Sequence, residues 1–324
     1  DEFISELKLV RGFFYWQLID LFGNVPLVMD FATAEATPTT VPRAEVFQTI
    51  LSDLEEAVPL TSKAVDGSTY GRMNYYAGQT LLAKLYLNAE VYSGTPMWNE
   101  VITACDEVIN SGQYSLESNY FSNFNVENSG SSEFIFAIPY DEVFYGGFNW
   151  TARTLHYGSQ QTYDLTGQPW NGFCTLEEFY DSYSDDDVRK GDVGTPDAPA
   201  SNRGNFIAGF QYKLGGGKVT DDGYEAPAEV DPFTTLDGPL SFDMEGEVVP
   251  GGKLFNEIGR EMFAENQKRQ NLIRWGFFTD VAKWALPFYN PGDVLEDGEH
   301  TTLFPVNKDK LDANPNLTQN PGYN

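Results

Sequence analysis

Residues 303–323 read LFPVNKDKLDANPNLTQNPGY and close the chain. Asn and Pro are concentrated in this closing segment, at Asn314-Pro315-Asn316 and again at Asn320-Pro321-Gly322. Proline lacks the backbone N–H, and Asn, Pro and Gly favour turns, so the segment cannot continue a helix or a central strand. Composition alone would make it a frayed terminus. Its residue order, however, is specific. Taken together with segments found earlier in the chain, it can be compared with the motifs of a protein family.

The chain begins with a helical pattern. Leu7, Val10, Phe14 and Leu18 recur at three to four residues, which predicts a helix with this face in the core. Gly23-Asn24 should end the helix, because both residues favour the turn that follows a helix. We therefore expect one long helix over the first twenty-odd residues.

Three more helices follow within the first 110 residues. The second starts after Pro42 and buries Val46, Ile50, Leu54 and Ala57-Val58. The third spans Asn74–Val91 and the fourth Met97–Asn110. Their predicted core residues are Leu81, Leu82, Leu85, Tyr86 and Ala89 in the third helix, and Val101, Ile102, Cys105, Val108 and Ile109 in the fourth. The short link Tyr92–Pro96 makes these two helices antiparallel, which gives a helical hairpin of the tetratricopeptide kind. Cys105 should be a buried free thiol.

The middle of the chain has a different character. Glu133–Ile138 predicts a short strand. Residues 140–253 are rich in Gly, Pro, Asp and aromatics, and a loop region of that length is usually functional or disordered; the aromatics argue against disorder. A last helix is expected over Leu254–Phe278, with Phe255, Ile258, Met262 and Phe263 as its core stripe. We therefore expect a helical-hairpin scaffold over 1–113, a loop-rich ligand-binding region over 114–253, and a C-terminal helix with an extended tail over 254–324.

Several separated segments share the residue order of one protein family. They are Leu9–Trp16 followed by Leu21–Val28, Tyr70-Gly71-Arg72 leading into Ala83–Ala89, Trp170–Phe173 with Asp187–Arg189, Arg269–Gly276, and the closing segment 303–323. Together they resemble the SusD/RagB family, the surface glycan-binding lipoproteins of Bacteroidetes outer membranes. The resemblance covers most of residues 1–180 and 254–324.

The resemblance implies a mainly α-helical, tetratricopeptide-like scaffold with a large aromatic-rich insertion and little β-structure. It implies a non-enzymatic protein that binds starch or another oligosaccharide for nutrient uptake and polysaccharide utilisation. The implied partner is a TonB-dependent, SusC-like outer-membrane transporter. Family members are lipid-anchored through an N-terminal cysteine that this chain does not contain, so we interpret the chain as lacking its beginning. The motifs Asn24-Val25-Pro26 and Arg274-Trp275-Gly276 are expected to hold helix ends and packing together, not ligand.

One departure from the family pattern follows Gly251-Gly252-Lys253. Family members continue there into another helical hairpin, whereas Lys253 passes directly to Leu254-Phe255-Asn256-Glu257. Either a helical pair has been lost or residues are omitted from the chain, and we favour omission. The number of helical repeats therefore stays open.

Composition and charge limit the classes of partner. The chain has 324 residues, 41% hydrophobic and 21% charged, which is typical of a globular protein. The formal charge of −28 disfavours nucleic acid and anionic lipid surfaces, because both are negative. It suits a neutral ligand, a cation, or solubility alone.

Catalytic and metal motifs are weak in this sequence. Only His156 and His300 are present, and neither has a metal-ligand spacing. No G-x-S-x-G nucleophile turn occurs. Asp185-Asp186-Asp187 and Asp221-Asp222 do not fit a calcium loop and are interpreted as solvated acidic turns. We predict no catalytic residue, cofactor or metal, although paired carboxylates leave a glycoside hydrolase as an alternative.

Aromatic residues mark the predicted binding region. Flat rings cover the apolar faces of a sugar at low entropic cost, while amides and charged groups bind its hydroxyls. The segment Tyr145–Phe173 combines these residue types, including Arg153 and His156, without helical periodicity. The predicted ligand-binding residues are Tyr145, Phe148, Trp150, Tyr157, Tyr163, Trp170 and Asn171; the alternative is that they fill a core. Helical aromatics such as Phe14 and Tyr86 are assigned to the core. A relative on the same scaffold could bind a peptide or another nutrient.

Overall fold

The computed structural model describes residues 1–140, 150–171, 177–202, 204–209, 257–258, 260–262, 267–276, 278–279 and 298–323, together with the single positions 143, 146, 175, 213 and 217. These residues are mainly helical, as predicted. The α-helices are α1 Glu2–Phe22, α2 Arg43–Ala57, α3 Tyr75–Leu87, α4 Ala89–Ser93, α5 Trp98–Ile109, α6 Trp150–Thr154, α7 Ser159–Tyr163, α8 Glu177–Asp181, α9 Lys268–Arg274 and α10 Lys308–Ala313. The 3₁₀ helices are Phe31–Thr33, Val58–Leu60, Tyr120–Phe124 and Gly298–Thr302.

The β-structure of the described residues consists of two-residue strands. They are β1 Val25–Pro26, β2 Thr40–Val41, β3 Val193–Gly194 and β4 Ala208–Gly209. β1 pairs antiparallel with β2, with Val25 opposite Val41, and β3 pairs parallel with β4. No described helix combines the length and apolarity needed to cross a bilayer.

The chain divides into two compact units. The first comprises Asp1–Pro139, Arg269–Asp280 and Val294–Asn324, and the second comprises Tyr140–Lys268 and Val281–Asp293. The division joins both ends of the chain in one unit. The predicted boundaries at residues 113 and 253 stay a prediction.

Paired helices form the core of the first unit. α1 packs against α2, and α3 packs against α5. The short α4 follows α3 after Asn88, so the predicted third helix is divided in two. The predicted core faces of α2 and α3 are confirmed, including Tyr86. These helices carry apolar residues on one face, and their periodicity therefore identifies the buried side.

The predicted core face of α1 is wrong at three of its four residues. Leu7 and Phe14 are 67% and 61% exposed, and Leu18 is also exposed. Val10 is half-buried and packs against the core. The buried residues of α1 are instead Ser5, Leu9, Gly12, Trp16, Ile19 and Asp20. The reason is steric: a Cβ on Gly12 would lie 2.7 Å from Cδ2 of Leu54, so small residues let α2 approach this side.

The predicted burial of α5 is also corrected. Cys105 is a free, half-buried thiol, and burial raises its pKa. Ile102 and Ile109 are exposed, and Ala104 is the buried residue of this helix. The apolar stripe predicted the helix, and Val101 and Val108 are half-buried and pack against the core as expected.

The predicted strand at Glu133–Ile138 does not form. Its neighbourhood is held by side chains: the Glu133 carboxylate accepts from the backbone N–H of Glu117 at 2.7 Å, and the Glu117 carboxylate accepts from that of Ser132 at 2.7 Å. Phe136 packs against Phe13, with ring centroids 6.1 Å apart. The apolar side chains therefore join the core without a partner strand for their backbone.

The predicted helix over Leu254–Phe278 is only partly observed. Residues 257–258 and 260–261 are helical, but Gln267 is not, and the next helix is α9. Ile258 and Met262 are half-buried. Phe255 and Phe263 lie outside the described residues.

The closing segment is an ordered part of the first unit. Asn320 is buried, and its amide donates to the carbonyls of Phe22 at 2.9 Å and Phe304 at 2.7 Å. Asn316 and Asn314 likewise donate to the carbonyls of Thr37 and Pro38. Amide side chains thus satisfy backbone carbonyls that have no helix or sheet partner.

The two motifs expected to hold helix ends together do so. Oδ1 of Asn24 accepts from the N–H of Arg43 at the start of α2, 2.8 Å away. Nη1 of Arg274 donates to Oδ1 of Asn88, 3.2 Å away, at the break between α3 and α4. Their contacts within the described residues are those of packing.

Candidate functional site

The candidate site is the segment 150–171 of the second unit. Two short helices, α6 and α7, are joined by a turn, and Asp164 ends α7 with a left-handed backbone of φ 52°. Thr162 is buried and donates to the carbonyl of Gly158 at 3.2 Å. Pro169 is fully buried. The buried residues Thr162 and Pro169 therefore form a small packed base beneath the exposed side chains of the segment.

The backbones of Trp170 and Asn171 are held in place by hydrogen bonds to earlier residues of the segment. The N–H of Trp170 donates to the carbonyl of Ala152 at 2.6 Å, and that of Asn171 donates to the carbonyl of Leu155 at 3.0 Å. The Trp170 side chain is 54% exposed, and Asn171 is exposed. Asn171 has φ 50°, a left-handed conformation that Asn tolerates better than most residues. The backbone is thus ordered while both side chains reach the surface.

Arg153 contacts the Trp170 ring, and His156 and Tyr157 form an aromatic pair in the same segment. Cζ of Arg153 lies over the Trp170 ring, 5.6 Å from its centroid, which is within cation–π distance. Tyr157 is 43% exposed, and its ring centroid is 5.3 Å from that of His156. Nδ1 of His156 accepts from the N–H of Gly158 at 3.0 Å, which orients the imidazole. The arrangement combines exposed rings with an amide and a guanidinium.

The predicted ligand-binding residues differ in exposure, and some of them lie outside the described residues. Tyr157, Trp170 and Asn171 are exposed on the segment, and Tyr163 is half-buried at the end of α7. Trp150 begins α6, but its side chain, like Tyr145 and Phe148 as a whole, lies outside the described residues. A ligand role for all seven stays a prediction.

Arg153 was not selected as a ligand residue from the sequence. Its contact with Trp170 arises because the chain turns back at residues 165–170. This turn places residue 170 against α6. No local spacing encodes such a contact. The signal that could have found Arg153 is its residue type within an aromatic stretch.

A second aromatic cluster in the same unit is a core. Tyr183 is buried, its hydroxyl donates to the carbonyl of Arg260 at 3.0 Å, and its ring lies 5.3 Å from that of Phe206. Phe179 and Tyr180 complete the cluster through edge-on contacts with Phe206. These rings pack on one another and are not available to a ligand.

The acidic turn at 185–187 is engaged in ion pairs. Arg189 holds Asp187 at 2.7 Å and also contacts Glu257 and Glu261, and Lys190 holds Asp185 at 2.9 Å. Hydrogen bonds from Arg189 and Lys190 lower the pKa values of Asp187 and Asp185. No group of metal-binding side chains occurs among the described residues. The acidic pair Asp221-Asp222 lies outside them.

The sequence is similar to curated proteins of one family. It is 23% identical to the starch-binding protein SusD of Bacteroides thetaiotaomicron over 415 aligned positions, covering 98% of this chain and 72% of that protein. It is 24% identical to the SusD-like protein P25 of Formosa agariphila over 149 residues, covering 45% of this chain. That match spans only 27% of the length of P25. No protein-family model matches the sequence.

The fold is also similar to that of solved SusD-like proteins. A laminarin-binding SusD-like protein superposes with a TM-score of 0.64 at 20% identity, covering 99% of this chain and 79% of that one. The chain is therefore similar to SusD-like proteins in sequence and in fold over nearly its whole length.

Proposed function

We propose that this protein binds a neutral oligosaccharide without altering it, and that the exposed face of segment 150–171 takes part. The observation that carries the proposal is that the segment exposes two aromatic rings, Trp170 and Tyr157, and the amide of Asn171, with the backbone of residues 170 and 171 held by hydrogen bonds. A pyranose ring has apolar C–H faces and hydroxyl edges. Exposed aromatic faces cover the former, and amide and guanidinium groups bind the latter.

The fixed backbone at residues 170 and 171 supports specific recognition of a glycan in place of a loose surface contact. The two hydrogen bonds that hold residues 170 and 171 to Ala152 of α6 and to Leu155 mean that little backbone freedom is lost when a ligand binds. Arg153 limits the rotamers of Trp170 by lying over its ring. The left-handed backbone at Asn171 adds support, because such conformations cluster at binding sites. The side chains are thus positioned before the ligand arrives.

The electrostatics of the described carboxyl groups favour binding over hydrolysis. A glycosidase needs one carboxylic acid whose pKa is raised, so that it can donate a proton at neutral pH. Each described carboxyl with a displaced pKa is displaced downward, and these are Asp53, Asp66, Glu117, Asp185 and Asp187. Hydrogen bonds from cations or hydroxyls stabilise the ionised forms. Such groups are suited to holding structure together.

The relatives indicate the class of ligand. One is named a starch-binding protein and another a laminarin-binding protein, and both names refer to glucans. The −28 charge of this chain also favours an uncharged ligand over an anionic one. The proposal therefore names a neutral glycan, with peptides and other nutrients as competing ligands to be tested alongside.

The proposal extends to location and partner by analogy with the family. The protein would be anchored by a lipid on the cell surface and deliver glycan to a SusC-like, TonB-dependent transporter in the outer membrane. We expect the full-length lipidated protein to co-purify with a large outer-membrane transporter in mild detergent. Because of the −28 charge, an electrostatically guided complex should weaken as salt is raised. Recovery of the protein alone at low salt would contradict the delivery model.

The binding proposal is tested with a matched pair of tryptophan variants. Trp170→Ala should weaken binding of a soluble glucan oligosaccharide by about 1–3 kcal/mol, by analogy with the stacking of bases on aromatic rings. Trp98→Ala is the control, because Trp98 is 45% exposed but lies on α5 of the first unit. Calorimetry measures affinity, and thermal unfolding checks that both variants fold.

Two outcomes would contradict the proposal. Equal affinities for the two variants would remove Trp170 from the binding surface. New reducing ends, appearing in proportion to protein during prolonged incubation, would show hydrolysis in place of simple binding. Displacement of glycan by an unrelated peptide at equal concentration would redirect the ligand class.

A further inference from the structure

A cavity of about 580 Å³ opens in the first unit, within residues 65–137. One wall is the loop 65–74, the opposite wall is the stretch 129–137, and the Tyr114 ring contributes between them. Its volume lies within the range of small-molecule sites. None of the described side chains of segment 150–171 lines it.

Both walls of the cavity are held in place by their own hydrogen bonds. In the first wall, the Asp66 carboxylate accepts from the N–H of Ser68 at 2.8 Å and from its hydroxyl at 2.6 Å. In the second, the Ser131 hydroxyl donates to Oδ1 of Asn123 at 2.5 Å. Gly71 has φ 72°, and a Cβ there would lie 3.0 Å from Pro139. The shape is therefore built into the scaffold.

The cation on the described lining is already paired. Arg72 is held by Glu6 through two hydrogen bonds, Nε to Oε1 at 3.0 Å and Nη2 to Oε2 at 2.5 Å. Ser68 hydrogen-bonds the Asp66 carboxylate, which keeps its negative charge. An anionic ligand would therefore find no unpaired cation on these two side chains. The lining favours a neutral ligand over an anionic one.

The remaining lining combines aromatic rings with small polar groups. Tyr70 is 44% exposed, and Phe134 and Phe136 contribute from the opposite wall. Thr69 and Ser129 add hydroxyls, and the glycines of the two loops expose backbone N–H and C=O groups. Aromatic faces with neutral hydrogen-bonding edges match the two surfaces of a sugar ring.

We infer that this cavity is a second binding site, which takes one or two neutral sugar units. The ligand class rests on the proposed function, but the site is separate from segment 150–171.

Two glycines of the lining, one on each of the two loops, allow bulk to be added there. A Cβ added at Gly67 or Gly130 meets no atom within 4 Å, and neither backbone is left-handed. Gly67→Phe and Gly130→Phe, the two filling variants, therefore add a ring to the lining without a clash at the Cβ. Gly298→Phe is the matched control, because its Cβ makes only ordinary contacts with Thr279, the nearest atom being 3.8 Å away.

The experiment measures binding of maltohexaose, laminarihexaose, xylohexaose and chitohexaose by calorimetry. The wild-type protein, the three glycine variants and Tyr70→Ala are compared, each alone and combined with Trp170→Ala. We expect residual binding in Trp170→Ala that falls about tenfold or more with either filling variant or with Tyr70→Ala, and not with Gly298→Phe. Thermal unfolding establishes that each variant is folded.

The outcomes separate this inference from the proposed function. Loss of binding in Trp170→Ala, with unchanged binding in both filling variants and in Tyr70→Ala, overturns the second site and leaves the proposed function intact. Loss in the cavity variants alone supports the second site and removes segment 150–171 from the proposal. Higher melting temperatures in the filling variants with unchanged affinity would show a packing void. Failure of the wild-type protein to bind any of the four probes overturns both.

Discussion

At the scale of single residues, buried and half-buried carboxylates join segments that are far apart in the sequence. Oδ1 of Asp20 accepts from the Tyr92 hydroxyl at 2.8 Å, and Oδ2 accepts from Nη1 of Arg269 at 2.6 Å. Asp53 on α2 holds two cations of α1, Lys8 at 2.8 Å and Arg11 at 2.5 Å. Each acid thereby ties α1 to a different part of the first unit.

Asp53 should make stability depend on pH at the acid end. Burial alone would raise the pKa of Asp53, but the hydrogen bonds from Lys8 and Arg11 outweigh it and hold the pKa below its ordinary value of 3.8. A carboxyl whose pKa is lowered by folding stabilises the fold above its ordinary pKa and loses that contribution as pH falls through the folded pKa. Asp53→Asn should therefore cost about 1–2 kcal/mol at neutral pH, and this difference should shrink below pH 3.8.

Denaturant unfolding at several pH values checks this expectation. Glu90→Gln on the exposed side of α4 is the control, and it should leave stability nearly unchanged across the range. A destabilisation by Asp53→Asn that is equally large at pH 3 and pH 7 would show that packing, and not the ionised carboxylate, is responsible.

At the scale of secondary-structure elements, small residues determine how closely helices pack. Gly12 of α1 faces Leu54 of α2, and Gly78 of α3 faces Leu9 of α1 together with Val58. All three apolar partners are fully buried, so they have little room to move. These two glycines are placed where helices approach one another and not where the backbone turns.

Gly78→Ala should destabilise the protein although alanine favours helices. The added Cβ would lie 2.7 Å from Cγ2 of Val58 and 2.8 Å from Cδ2 of Leu9. Overpacking costs about 1–3 kcal/mol, and the better helix propensity of alanine offsets about 1 kcal/mol. We expect a net fall in the free energy of unfolding, measured by chemical denaturation. Thr103→Ala, on the exposed side of α5, is the control; a gain in stability for Gly78→Ala would mean that α1 and α3 do not approach this closely.

At the scale of the whole molecule, the two ends of the chain belong to one unit. The closing segment hydrogen-bonds to the end of α1 and to residues 37–40. Tyr323 stacks edge-on against His300 with centroids 5.0 Å apart, and its hydroxyl donates to the carbonyl of Leu303 at 2.8 Å. The segment therefore completes the scaffold after some 300 residues of intervening chain.

Asn320→Ala should weaken this closure measurably. The substitution leaves the carbonyls of Phe22 and Phe304 without their described partner, and each such buried group costs about 1–3 kcal/mol. We expect a lower free energy of unfolding and faster proteolysis of the C-terminal segment. Asn125→Ala, an exposed asparagine of the same unit, is the control. Equal stability of the two variants would mean that the closing segment is not required for the fold.

The sequence by itself determined the resemblance to SusD-like proteins, the mainly helical class and the helices whose apolar residues occupy one face. Val46, Ile50 and Leu54 of α2 and Leu85 of α3 are buried as predicted, because a one-sided helix can bury only that side. Gly23 ends α1 as predicted, with φ 70°. The exposed candidates Trp170 and Asn171 were also named from residue type alone.

Only the tertiary structure decided which of two apolar faces α1 buries, whether Glu133–Ile138 pairs as a strand, and what Trp170 contacts. Leu7 and Phe14 have the spacing of a core, but the close approach of α2 at Gly12 selects the opposite side of the helix. Residues 133–138 have the composition of a strand but no partner strand in the part of the chain that the structure describes. Arg153 meets Trp170 through the return of the chain, and Asn320 meets Phe22 across nearly its whole length. Local propensity and periodicity describe one element at a time, whereas these outcomes depend on which distant element supplies the contact.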